Sequence, residues 1–175
     1  VTLSLVELQS LSLSANVRNM FLFAFYNHGM RVTDVLTLTW GEIKGNVLEY
    51  TMTKTNTPKK IEMADQAKDI LSMYDQSSHY IFPLMTHNPK RSLEEHRALI
   101  ESKTTLMNKY LKMIAEKAGI TKTLTTHISR HSFSDIAIEQ GVDLRTVSEM
   151  LGHTNVQITQ AYIGKTKSGL VNDAM

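Results

Sequence analysis

The chain has 175 residues, 42% hydrophobic and 21% charged, with a formal net charge of +2. That is enough for one domain with a sizeable core and too apolar for disorder over most of its length. Having no cysteine excludes disulfides and thiolate metal sites and suits a reducing compartment. The longest strongly apolar run, MFLFAFY at 20–26, is far too short to span a bilayer, and no secretory signal is visible, so a cytoplasmic location is expected.

The pattern predicts a short amphipathic helix from Leu5 to Leu13 and a second capped by Asn16. The second carries Val17, Met20, Phe21, Ala24 and Phe25 at helical spacing and is ended by Gly29. A short helix from about Arg31 turns Val32, Val35 and Leu36 inward. Strand-type sequence follows: Glu42 to Lys44, a Gly45-Asn46 turn, then Val47 to Thr53. A polar turn over 55–58 leads into Lys59 to Met63, with Lys54 at the tip of this hairpin. Ala67, Ile70, Leu71 and Tyr74 mark one helical face, and His79 to Leu84 reads as extended, stopped by Pro83. Thr86 to Ser102 is polar and gives no clear element.

Leu106, Tyr110, Leu111, Ile114 and Ala118 mark a helix ending at Gly119. Thr126 caps another that runs to about Gln140, Asp143 caps the next up to Gly152, and Thr154 caps a last short helix carrying Tyr162. The expected class is mainly α with a small three-stranded antiparallel β-sheet. Charge is uneven: from Lys103 to Lys167 there are nine Lys/Arg against five Asp/Glu. Such clustering favours a polyanionic partner, although solvated helix lysines give the same excess.

The stretch TTHISRHSFSD at 125–135 puts His127 in the first turn of a helix and Arg130 one turn on. Unpaired backbone N–H groups, an imidazole and a guanidinium there would suit an anion, most naturally a phosphate. A histidine and arginine near a helix start are also common as plain caps or ion-pair partners. His127 and His131, four apart, have the spacing to face a metal together. No Glu lies between them and the chain has no cysteine, so the zinc-protease pattern is missing and no metal site is expected.

Three further stretches join this one. GMRVTDVLTL at 29–38 places Arg31 straight after a helix-ending glycine, with Asp34 three residues on. TMTKTNTPKKIEM at 51–63 carries Lys54. LGHTNVQITQAY at 151–162 carries His153 and, nine residues later, Tyr162. Each has a plain structural reading: a surface Arg31–Asp34 pair, a solvated hairpin lysine, a half-buried aromatic. Together and in this order they resemble the tyrosine recombinase, or phage integrase, family over nearly the whole chain.

The resemblance implies that residues 1–175 form one catalytic domain of that fold, with the family's usual upstream DNA-clamping domain outside this sequence. It implies Arg31, Lys54, His127, Arg130, His153 and the nucleophile Tyr162 as catalytic residues, with Asp34 orienting. Asp34 stands where glutamate is common, and Lys59 and Lys60 share the hairpin with Lys54. Lys54, Lys59 and Lys60, with Arg130 and His131, are the expected DNA contacts.

The implied chemistry suits these residue types. Two guanidiniums and two imidazoles can hold the non-bridging oxygens of a phosphodiester as it becomes five-coordinate. Tyr162 needs a lowered phenol pKa or a base, and either histidine could serve as that base. A lysine on a hairpin can protonate the departing 5′-oxygen. The implied outcome is cleavage and rejoining of double-stranded DNA through a 3′-phosphotyrosyl intermediate, for integration or excision of a mobile element. It needs no metal or nucleotide cofactor, and a homo-tetramer on DNA is implied, with residues 165–175 docking on a neighbour. The alternative is a non-catalytic helix-turn-helix regulator, in which Asn155, Gln157 and Gln160 read adenine edges. A type IB topoisomerase would share the tyrosine chemistry, but the Leu-Gly-His box ahead of Tyr162 favours the recombinase.

Overall fold

The computed structural model describes residues 5–153 and Gln157, with side chains from Ser12 onward. Its elements in order are α1 (Leu5–Tyr26), α2 (Val32–Thr37), a 3-10 turn (Trp40–Glu42), β1 (Ile43–Lys44), β2 (Val47–Met52), β3 (Thr57–Glu62), α3 (Asp65–Leu71), α4 (Leu93–Lys117), α5 (Thr126–Glu139) and α6 (Leu144–Leu151). The expected class holds: helices dominate, and the three strands form one antiparallel sheet in the order β1-β2-β3. No helix among the described residues is long and apolar enough to cross a membrane.

Helix α1 is the central post, packed on by α2, α3, α4 and α5. Val17, Met20, Phe23 and Ala24 are its buried stripe, and Phe23 meets Phe82 edge-on with ring centroids 5.3 Å apart. An edge-to-face pair of this kind adds about 1 kcal/mol to the area it buries. Contrary to the sequence reading, α1 is continuous and Asn16 is not a cap. The Asn16 Oδ1 accepts a hydrogen bond from the Tyr74 hydroxyl at 2.9 Å. A partner brought from far along the chain has replaced the local capping role.

Three more expectations are corrected. Residues 79–84 form no strand; their one ladder contact is an isolated bridge between Tyr80 and Thr39. The polar segment over 86–102 contains the start of α4, the longest helix among the described residues. Ser92 accepts from the Glu95 N–H at 3.2 Å, and the Glu95 carboxylate accepts from the Ser92 N–H at 2.8 Å, a reciprocal capping box. Likewise Thr126 is not the cap of α5. Thr125 has the extended cap backbone, and the Thr126 N–H donates to Asn108 Oδ1 on α4 at 2.9 Å.

Alternation along the hairpin decides which side chains look inward. Leu48, Tyr50 and Met52 of β2 are buried, and Ile61 of β3 lies opposite Leu48. Lys59 pairs with Tyr50 and therefore lies on the same inward face. Lys60 pairs with Glu49 on the outer face, where its ammonium sits 2.8 Å from the Glu49 carboxylate. Lys44 joins the same carboxylate at 2.6 Å. The strand β3 begins at Thr57 and includes Pro58, two residues before the expected start.

Candidate active site

Between the hairpin tip, α2, α4, α5 and the end of α6 lies a cleft of about 760 Å³. Arg31, Asp34, Lys54, His127, Arg130 and His153 all line it. Five of the six residues expected to be catalytic, spread over more than 120 positions, thus share one concavity with the expected orienting residue. The sixth, Tyr162, lies outside the described residues, as do the Thr154 cap and residues 165–175.

Each side chain arrives by a different local route. Helix α1 ends in a left-handed turn, with His28 at φ 58° and Gly29 at φ 63°, and the Met30 N–H returns to the Ala24 carbonyl at 2.9 Å. Arg31 follows at the cap of α2 in extended backbone. Its guanidinium donates to the Met52 sulfur at 3.3 Å, and among the described residues no carboxylate pairs with it. The surface Arg31–Asp34 pair is therefore not formed.

Asp34 turns the other way. It is only 3% exposed, and its Oδ1 accepts from the Thr53 N–H at 2.9 Å. That bond ties the base of the Lys54 tip to α2, one turn from Arg31. Lys54 and His127 are exposed and line the cleft from the hairpin tip and from α5.

Arg130, 7% exposed, is held most firmly. One terminal nitrogen donates to the Gly29 carbonyl at 2.8 Å and the other to the Leu151 carbonyl. The close fit explains why position 29 is glycine: a Cβ there would stand 2.9 Å from the Arg130 Cα and 3.0 Å from its Cγ. Helix α6 is capped at its start by Asp143, whose carboxylate accepts from the Arg145 and Thr146 N–H groups. It ends at Gly152, φ 64° and ψ 40°, with the His153 N–H returning to the Ser148 carbonyl at 3.0 Å. This turn delivers His153 to the cleft.

The electrostatics follow from that crowding. Burial, then the charges of Arg130, Arg31 and Lys54, push the His153 pKa down to about 4, so its imidazole is neutral at pH 7. Lys59 is also pushed down, by burial first and then by Arg130. Its ammonium donates to the Glu149 carbonyl at 2.5 Å, at the C-terminal end of α6. Of the expected DNA contacts, Lys54 and Arg130 line the cleft. Lys59 and Lys60 border a second, shallower groove with Glu42, Glu49 and Tyr50, and His131 is half-buried outside the cleft lining.

Sequence reasoning did not point to the α4 wall, where Ile100, Glu101, Thr104 and Thr105 face the site. The Ser92-x-x-Glu95 box would have found the missing start of that helix. It also gave no hint of Met52, and only the alternation of β2 could have placed its side chain on the inner face.

Comparison with known proteins gives the family. The profile of the phage integrase family matches residues 4–168. The tyrosine recombinase XerD of Staphylococcus epidermidis is 32% identical over 146 residues, covering 82% of this chain and 48% of the relative. XerD of Listeria monocytogenes is 31% identical over 147 residues, with 81% and 48% covered. The chain therefore spans about half the length of these curated relatives. Among solved structures, the XerA recombinase superposes with a TM-score of 0.62 at 22% identity, over 93% of this chain and 59% of that one. The Tn1549 transposon integrase in complex with a circular intermediate DNA gives 0.63 at 15% identity, over 93% and 60%. With the fold, the clustered residues and the family profile in agreement, this chain belongs to the phage integrase family.

Proposed function

We propose that this chain is the catalytic portion of a site-specific DNA recombinase that cleaves and rejoins strands through a 3′-phosphotyrosyl intermediate, with Arg31, Lys54, His127, Arg130, His153 and Tyr162 as its machinery. The observation that carries the reading is the convergence of five of these side chains on one cleft. A helix-turn-helix regulator would have no use for Arg31 and Lys54 beside His127 and Arg130.

In this reading a scissile phosphate lies between Arg31 and Arg130, which neutralise the charge that builds on its non-bridging oxygens. Tyr162 attacks phosphorus. The phenolic oxygen forms the new P–O bond, the bond to the 5′-oxygen breaks, and Lys54 gives that oxygen its proton. His153, neutral in the unliganded cleft, can donate an N–H to the phosphate or take the phenolic proton. The tyrosyl ester keeps the phosphodiester energy, so the 5′-hydroxyl of a partner strand reverses the step and joins new ends without ATP or a metal ion. Asp34 orients the tip of the hairpin through the Thr53 amide.

Exchange between two duplexes calls for several copies of the chain, and a tetramer on DNA is the arrangement proposed. An upstream DNA-clamping segment and a role in integrating or excising a mobile element belong to the same proposal. The family description and the likeness to a transposon integrase support them. The test is a suicide duplex nicked near its cleavage point. The wild-type chain is expected to be trapped as a covalent adduct. Tyr162→Phe is expected to abolish the adduct while DNA affinity stays within about twofold. A wild type that binds DNA tightly and never forms an adduct would hand the case to the regulator reading.

A further inference from the structure

Met52 stands where two halves of the site meet. It is the last residue of β2, on the inward face with Leu48 and Tyr50, and is 2% exposed. Its sulfur accepts from the Arg31 guanidinium at 3.3 Å. Its other side is pressed against Gly152, the residue before His153. A Cβ built on Gly152 would lie 2.6 Å from the Met52 sulfur, with the terminal methyl closer still. One thioether therefore touches the side chain of Arg31 and the backbone of the turn that presents His153. Lys59, on the neighbouring strand, fastens the same turn by its bond to Glu149.

We propose that Met52 is a positioning residue: its thioether sets the spacing between the Arg31 guanidinium and the Gly152–His153 turn, and so the width of the phosphate seat. The inference rests on the strand-exchange reading for its consequence but not for its geometry. Methionine suits the task on physical grounds. It is long and unbranched enough to reach across the base of the cleft, and its sulfur is a weak acceptor. A weak acceptor holds a guanidinium without neutralising it. A carboxylate at the same place would consume the charge that a phosphate needs.

The experiment compares Met52→Leu, which nearly conserves volume but removes the sulfur, and Met52→Ala, which removes the strut. Met63→Leu is the control, since Met63 is 4% exposed and lies at the opposite end of the sheet, bonded to Asn46. Three quantities are read: DNA affinity, the rate of covalent adduct formation on the suicide duplex, and the His153 titration by NMR in the absence of DNA. Both Met52 variants are expected to bind DNA within about twofold of wild type and to form adduct about tenfold more slowly, as a displaced reacting group does. The His153 midpoint should rise in both, because Arg31 is released and water enters. Arg130 and Lys54 keep their charges throughout. Met63→Leu should move none of the three.

Wild-type rates and an unmoved His153 titration in the Met52 variants would overturn the proposal. So would equal losses in Met63→Leu, which would mean general core loosening. A wild-type chain that never forms adduct sinks the strand-exchange reading alone, and the titration then decides the Met52 geometry by itself. Should Met52→Ala fail to fold, Met52→Leu carries the test.

Discussion

Replacing Gly29 by alanine tests the packing at the heart of the site. Gly29 sits at φ +63°, and an added Cβ would stand 2.9, 3.0 and 3.2 Å from the Arg130 Cα, Cγ and Cβ. The left-handed backbone costs an alanine about 1 kcal/mol, and overpacking against another helix's backbone costs about 1–3 kcal/mol more. The expected loss is therefore about 3 kcal/mol, a fall of roughly 6–12 °C in Tm for a chain of this size. Gly45→Ala is the matched control, because Gly45 has φ +60° with nothing within 4 Å of its added Cβ. Both substitutions tighten the unfolded chain alike, so their difference isolates the contact with Arg130. Urea denaturation of the two variants should differ by about 2 kcal/mol. Equal destabilisation, within about 0.5 kcal/mol, would refute the claim that Arg130 closes on Gly29. Gly29→Ala should also slow adduct formation far more than Gly45→Ala, since it displaces the carbonyl that receives the guanidinium.

Arg130→Lys keeps the charge but cannot bridge the Gly29 and Leu151 carbonyls together. Adduct formation should fall about 100-fold or more while the salt dependence of DNA binding stays unchanged; wild-type rates would remove Arg130 from the site. Asp34→Ala removes the acceptor of the Thr53 amide. Losing that bond, partly offset by relief of a buried carboxylate whose Oδ2 has no hydrogen-bond partner among the described residues, should cost about 1 kcal/mol net. Hydrogen exchange at Thr53 should quicken selectively, and unchanged protection there would refute the tether. Stability should also fall with acid through His153. Its folded pKa of about 4 lies below the ordinary 6.5. The shift costs nothing above pH 6.5, where the ring is neutral folded or unfolded, and becomes a penalty as pH drops toward 4. Solvent screening at this half-buried ring reduces the effect to about 1–2 kcal/mol. In denaturation across that window wild type should lose about 1–2 kcal/mol more than His153→Gln as pH falls, and parallel curves would contradict the assignment.

The hairpin was legible because alternation is a local property. Tyr50 and Lys59 face one way and Glu49 and Lys60 the other whatever packs above them. What Lys59 would find on the inner face was not legible, since Glu149 is 90 residues away. The same distinction explains the misread start of α1. Asn16 has a good cap side chain, but α1 runs through it and its acceptor is taken by Tyr74, 58 residues on. The first turns of α4 escaped notice for another reason. They face outward, with Leu93 67% exposed, so no apolar stripe marked them. The motifs named residues that the fold brings to one cleft, but they say nothing of Gly29's fit against Arg130 or of Met52's double contact. Those are statements about neighbours in space.

Arg130 joins these levels. Its guanidinium connects the end of α1 to the end of α6 through two carbonyls, closing contacts over 101 and 21 residues of chain, and its side chain also lines the cleft. Structural and electrostatic roles therefore cannot be separated at this position. The field that Arg130, Arg31 and Lys54 produce together is the charge part of what lowers His153. That repulsion is present only while no anion lies among them. A phosphodiester seated there would cancel part of the field, and the imidazole would gain proton affinity as the ligand binds. An arrangement that is electrostatically uncomfortable alone would for that reason favour a negative charge, and in the proposed reaction His153 would become a stronger base once a phosphate is bound.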